Sequence, residues 1–390
     1  MDYAPEMFES VQWATSPVKY LGVPLDQYQE PAKYWEAENE RTRECTHKWG
    51  GRDLSIFARA TVCNLFLVAK VWYVLQALCM SRTSVQRLHR AFAVFIWGSS
   101  WERTSRTNLF LSVGKGGLGL AHLFLRQLVS RFMFLRDQKD AFLRTVMQIC
   151  LKEALPEYVV SSSPVKHVRV RGFLWEVVRA FQCLKVRFSA QYLADVRRKQ
   201  LYKDLIDTML PIPLYRSIYC VGSEGNVLKR VKKMLVRPSM KSFFFQLHTG
   251  TLPVKPWLQE KGIFVPWSTN CLICRKPETI DHMFLHCTDA VFHWDVLQRT
   301  LKKQLPISPY GIRFLSVDSG DEVPWDMFML ISLHSIWKNR MAFRHEDEII
   351  LPVREYFIEN VSYVRDVFKA QKEQPGWLPL MDDLAKLKRF

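Results

Sequence analysis

Leu54 to Met80 reads LSIFARATVCNLFLVAKVWYVLQALCM. Its apolar residues Ile56, Ala60, Cys63, Leu67, Val71, Val74 and Leu78 recur every three or four positions, the period of a largely buried helix. The most hydrophobic part, Leu65 to Leu78, contains Lys70 and Gln76 and is short for a bilayer, so it predicts a core helix rather than a membrane span.

Similar helices extend outward on both sides. Upstream, Gly22 and Pro24 keep Lys19 to Leu25 extended, and Pro31 to Trp49 follows as an amphipathic helix with early glutamates and late cations, ended by Gly50 and Gly51. Downstream, Ser84 is a candidate cap for a helix over Val85 to Trp97, and the turn Gly114 to Leu120 leads into a helix over Ala121 to Leu135. The glycines of that turn lack the spacing of a phosphate-binding loop. Ser161 to Pro164 reads as a linker, Val165 to Met209 resumes a helical pattern, and Pro211 and Pro213 stop it. Ser239 to Trp257 predicts helix then turn, and Phe292 to Leu301, Trp325 to Arg344 and Leu351 to Gln371 are again periodic. The predicted class is mainly α, in five stretches: 1–50, 51–160, 161–241, 242–300 and 301–390.

Charge is distributed unevenly along these stretches. The chain of 390 residues carries a formal net charge of +17. Ser161 to Lys241 holds 17 Lys and Arg against 5 Asp and Glu, whereas Ser242 to Phe390 balances at 18 against 18. A localised basic block points to a polyanionic partner, RNA or DNA, bound with little sequence preference. The clustered candidates are Arg197, Arg198, Lys199, Lys229, Arg230, Lys232 and Lys233. Six of the nine cysteines are scattered singly, unlike a disulfide framework, and the acidic amino terminus lacks the apolar core of a signal peptide. The expectation is an intracellular protein, nuclear or cytoplasmic, with no membrane partner.

The remaining three cysteines fall together. Cys271, Cys274, His282 and Cys287 form C-x2-C-x7-H-x4-C, three thiolates and an imidazole suited to tetrahedral zinc. The tight Cys-x-x-Cys turn, flanked by Pro266 and Pro277, aims two sulfurs at one ion, and a short helix over Asp281 to Cys287 would supply the other two ligands. His286 is the alternative fourth ligand. Four protein ligands leave no position for a reacting water, so the zinc would be structural.

The run from Phe243-Phe-Phe-Gln-Leu-His248 through Leu258 and Gly262 to the cysteines, Asp281-His-Met-Phe-Leu-His-Cys287 and Trp294 resembles the zinc-binding domain that follows the polymerase in LINE-type (non-LTR) retrotransposon reverse transcriptases. Tyr20-Leu-Gly-Val-Pro-Leu25 resembles the end of that family's palm. Arg59-x2-Val-Cys-Asn64, Lys70-Val-Trp-Tyr73, Phe95-Ile-Trp-Gly-Ser99 and Gly116-Gly-Leu-Gly-Leu120 resemble its thumb region. The resemblance implies a palm remnant and linker helix over 1–50, a helical thumb-like domain over 51–160, a basic helical connection over 161–241, a CCHC zinc-binding domain over 242–300 and a helical tail over 301–390.

The family's polymerase binds two divalent ions through palm aspartates upstream of the Tyr20 motif, where this sequence has nineteen residues. The adjacent pair Asp382-Asp383 has no partner aspartate in an upstream strand and predicts a solvated helix face. Asp318, Asp321 and Glu322 lack the nearby lysine that a nuclease site needs. The expectation is a non-catalytic fragment that holds nucleic acid; the alternative is a zinc-stabilised module that binds protein.

Overall fold

The computed structural model describes residues 18–20, 23–25, 31–164, 169–212, 227–265, 268–317, 322–345 and 349–386, over which the chain is mainly helical. The only named strands among the described residues, Val18–Tyr20 and Val23–Leu25, pair antiparallel with Tyr20 opposite Val23. The chain packs into two units made from separated segments. The first contains Met1–Gly51, Val62–Ser100 and Leu120–Pro211, and the second Arg52–Thr61, Trp101–Gly119 and Ile212–Phe390. One boundary falls inside the helix Ile56–Leu75: the buried Ile56 and Phe57 belong to the second unit, and the buried Val68, Val71 and Leu75 to the first. At 20 residues this helix lies inside the Leu54–Met80 pattern but extends upstream of the apolar stretch Leu65 to Leu78, and by length and hydropathy alone it meets the requirement for a bilayer span. Its buried face is occupied by the protein's own core.

In the first unit, the Pro31–Gly50 helix buries Trp35 against Arg82–Trp97, and the Trp35 indole donates to the Cys79 carbonyl at 2.7 Å. The Arg82–Trp97 helix is capped by Ser81, whose hydroxyl accepts from the Ser84 amide. It therefore begins three residues before the predicted start, and Ser84 lies inside it. Leu123–Arg136 packs against Gly172–Lys185 and Arg198–Met209, with Phe132 and Phe181 in contact. The predicted continuous pattern over Val165 to Met209 is broken, since Ser189 caps a separate short helix, Ala190–Asp195. Pro213 and residues 165–168 lie outside the described residues.

In the second unit, Pro238–His248 buries Phe243, Phe244 and Phe245. It receives the Ile56 amide on the Ser242 hydroxyl and packs along Trp325–Arg344. That last helix is buried on all faces over Met327 to Ile336, as expected of an element enclosed by its neighbours. Val353–Lys369 and Leu378–Ala385 complete the packing. The glycine turn also belongs here: a Cβ on Gly117 would stand 2.2 Å from the Leu111 carbonyl oxygen, so only glycine fits.

Candidate metal centre

Cys271 begins a tight turn closed by its amide, which donates to the Lys276 carbonyl at 2.7 Å, and by the Arg275 amide donating back to the Cys271 carbonyl. Arg275 takes a left-handed conformation at φ 60°, the reversal that brings Cys274 back beside Cys271. The flanking residues Asn270 and Pro277 form an antiparallel bridge. Two buried charges support the turn: the Lys255 ammonium donates to the Asn270 carbonyl, and Glu278 pairs with Arg344 at 2.7 Å. Pro266, the other flanking proline, lies outside the described residues.

The other two candidates come from the predicted short helix, which is a π-helical turn, His282–His286. Thr279 starts it by accepting the His282 amide on its hydroxyl and the Met283 amide on its carbonyl. The wider π turn leaves His282 and Cys287 on one side, with the Cys287 amide donating to the His282 carbonyl at 2.7 Å. Cys287 then stands at the head of Thr288–Leu301. Behind the turn, Phe284 meets Phe243 and its carbonyl accepts the Trp294 indole at 2.8 Å, so the aromatic positions of the sequence motif assemble as the metal turn's support.

The four ligand atoms all lie within 4.8 Å of one another. The Cys287 sulfur is 3.9 Å from that of Cys271 and 3.6 Å from that of Cys274. A tetrahedral zinc with bonds of about 2.3 Å to sulfur would set sulfurs about 3.8 Å apart. The His282 Nε2 is buried without a hydrogen-bond partner, so an ion could take its lone pair. His286 is exposed and lies outside the cluster, whose fourth member is Cys287. These groups fit a four-coordinate ion with soft ligands.

Electrostatics agree. Burial first, then the nearby Arg340 and Lys276 charges, hold His282 below the usual histidine range and so neutral at physiological pH, as a ligand must be. The Thr288 hydroxyl and amide, 3.3 and 3.4 Å from the Cys274 sulfur, lower that thiol. Burial pushes Cys287 up to about 11, the cost of holding a thiolate there before an ion offsets it.

Residues 214–294, which enclose this cluster, match the family model described as zinc-binding in reverse transcriptase. The cluster lies in a reverse-transcriptase-associated zinc-binding domain. No curated protein matches the chain. The zinc-binding domain's motif residues Phe243 and Trp294 are the buried supports just described; Gly262 takes φ 71° at the end of Lys255–Glu260.

The proposed phosphate contacts divide between the units. Arg197, Arg198 and Lys199 are exposed at the start of Arg198–Met209 in the first unit; Lys229, Lys232 and Lys233 are exposed on Val227–Lys233 in the second. Arg230 differs from both groups. Its guanidinium pairs with Asp326 at 3.2 Å and donates to the Leu315 carbonyl at 2.8 Å, so it braces the second unit. Among the aromatic residues of the basic stretch Ser161 to Lys241, Phe181 is core, Phe188 stacks on Tyr192, and the Tyr192 hydroxyl bonds to Asp204. Tyr202 accepts the His122 amide, and Tyr215 and Tyr219 lie outside the described residues. Asp382 sits on Leu378–Ala385 within 3.2 Å of Lys369 and 3.5 Å of Arg365. Asp318 and Asp321 lie outside the described residues. Sequence reasoning missed Arg340, which reaches the cluster from 53 positions beyond Cys287.

Proposed function

We propose that the chain is a non-catalytic carboxy-terminal part of a LINE-type retrotransposon reverse transcriptase. In this reading it holds one structural zinc through Cys271, Cys274, His282 and Cys287 and binds RNA or DNA through exposed basic runs. The observation that carries the reading is the closed Cys3His cluster inside the reverse-transcriptase-associated domain. Within the first unit the Asn64 side-chain oxygen accepts the Ala121 amide at 2.9 Å, a bond that supports a thumb-like role for that unit. The ion-paired Asp382 on a helix supports the non-catalytic part.

Nucleic-acid binding draws support from the placement of Arg197, Arg198 and Lys199. A helix amino terminus disfavours cations, so the dipole gives no structural reason for three of them there, whereas Lys232 and Lys233 lie in a last turn that favours them. If about five phosphates are neutralised, the log-log salt slope on a duplex is about −4.5. Replacing Arg197, Arg198, Lys199, Lys229, Lys232 and Lys233 with Gln, and leaving Arg230 in place, weakens binding and flattens the slope at unchanged metal content. Equal affinity and slope in a folded variant would place the footprint elsewhere. The competing reading, a protein-binding module, rests on Leu65, Phe66 and Tyr73, which are about half exposed on the Ile56–Leu75 helix. An apolar interface of that kind would respond little to salt.

A further inference from the structure

The Trp325–Arg344 helix sends one cation into the metal cluster. Arg340 is 2 % exposed, and its two terminal nitrogens divide between two sulfurs, Nη1 to Cys271 at 3.3 Å and Nη2 to Cys287 at 3.2 Å. Cys274 has no such bond to Arg340; its sulfur rests against Thr288. The two sulfurs that Arg340 holds are the buried ones, and Cys274 is the more exposed.

A divalent ion held by three thiolates and a neutral imidazole carries a formal charge of −1, and burying that charge unpaired is costly. The neighbouring carboxylate and cation already balance, because Glu278 pairs with Arg344. Arg340 is the remaining buried cation in contact with the sulfurs. Its planar fork meets two acceptors at once, which a lysine cannot reproduce.

We infer that Arg340 is the positioning residue of the metal centre: it neutralises the ion's thiolate shell through paired N–H···S bonds and thereby fastens the Trp325–Arg344 helix to the ligand turns. This rests on the zinc reading above. Partners of this kind, one shell out from the ion, typically change metal affinity by about 10- to 100-fold. Hydrogen bonds to a thiolate also lower the energy of its lone pairs. Their loss should move sulfur-to-metal charge-transfer absorption to longer wavelength, a shift that general destabilisation would not cause.

The test uses the full chain loaded with cobalt(II), compared with Arg340→Gln and Arg340→Lys, and zinc affinity measured against a competing chelator. Expected are weaker zinc binding by about 10- to 100-fold in Arg340→Gln, a red-shifted charge-transfer band with tetrahedral d–d bands retained, and a smaller change in both for Arg340→Lys. Should Arg340→Gln fail to fold, the Arg340→Lys spectrum alone decides. Parent affinity and an unshifted band in whichever variant folds would overturn the role of Arg340 while leaving the zinc reading intact. A parent chain that takes up neither ion would overturn the zinc reading itself.

Discussion

Arg131 and the metal ligands show how differently single residues announce their roles. The guanidinium of Arg131, 1 % exposed, pairs with Glu176 at 2.8 Å and donates to the carbonyls of Leu75, Gln76 and Leu78, satisfying the open end of the Val68–Leu75 helix. Removing it takes the donor from those carbonyls and leaves Glu176 without its cation. Arg131→Met should destabilise the first unit by about 3–5 kcal/mol, read as a lower urea midpoint at unchanged metal content; an unchanged midpoint would remove Arg131 from the account. Nothing near Arg131 in sequence marks it, because its partners lie 45 to 56 positions away. The four cluster residues were legible because a tight turn and a helical turn place their ligands by local spacing alone. Arg340 and the partners of Arg230 were not foreseen, for the same reason as those of Arg131, since whether an arginine faces solvent or a carbonyl depends on tertiary packing.

At the scale of elements, periodicity located the helices and local chemistry set their ends. The Trp325–Arg344 bounds agree with the sequence pattern, whereas Arg82–Trp97 starts a turn early. Ser81 and Ser84 are both competent caps, and the structure uses the first, with Ser84 donating its amide to it. Ser81→Ala should cost about 1 kcal/mol, whereas Ser84→Ala should leave the cap intact; the reverse order in denaturation midpoints would contradict the assignment. The two π-helical turns, Cys63–Leu67 and His282–His286, were not legible. Each widens a helix by a residue: in one, Asn64 accepts the distant Ala121 amide, and in the other His282 and Cys287 come to share one side.

At the scale of the whole molecule, the mainly α class follows from the sequence pattern, but the interleaving of two units does not. One boundary falls inside the helix Ile56–Leu75 and others at Trp101 and Leu120, and no local property of the sequence marks them. Buried histidines link both units to pH. Burial holds His122 down to about 4, His293 to about 4 and His334 to about 3. Unfolded histidines titrate near 6.5, so between those values the unfolded chain binds more protons. The stability they contribute is complete above about pH 6.5 and declines as pH falls toward about 4. Denaturant midpoints should therefore drop between about pH 7 and about pH 5. Faster amide exchange in the Leu123–Arg136 helix would report His122 separately from the metal centre; a flat profile would contradict the linkage.

Metal content decides whether one ion closes the Cys3His cluster as part of the folded second unit. Purified parent chain should retain about one equivalent of zinc, the complement of a four-ligand structural site. A Cys271→Ser, Cys274→Ser variant should retain none and lose protection around Pro238–His248 and Thr288–Leu301, because metal binding and local folding are coupled. Zinc retained undiminished in that variant would contradict the account.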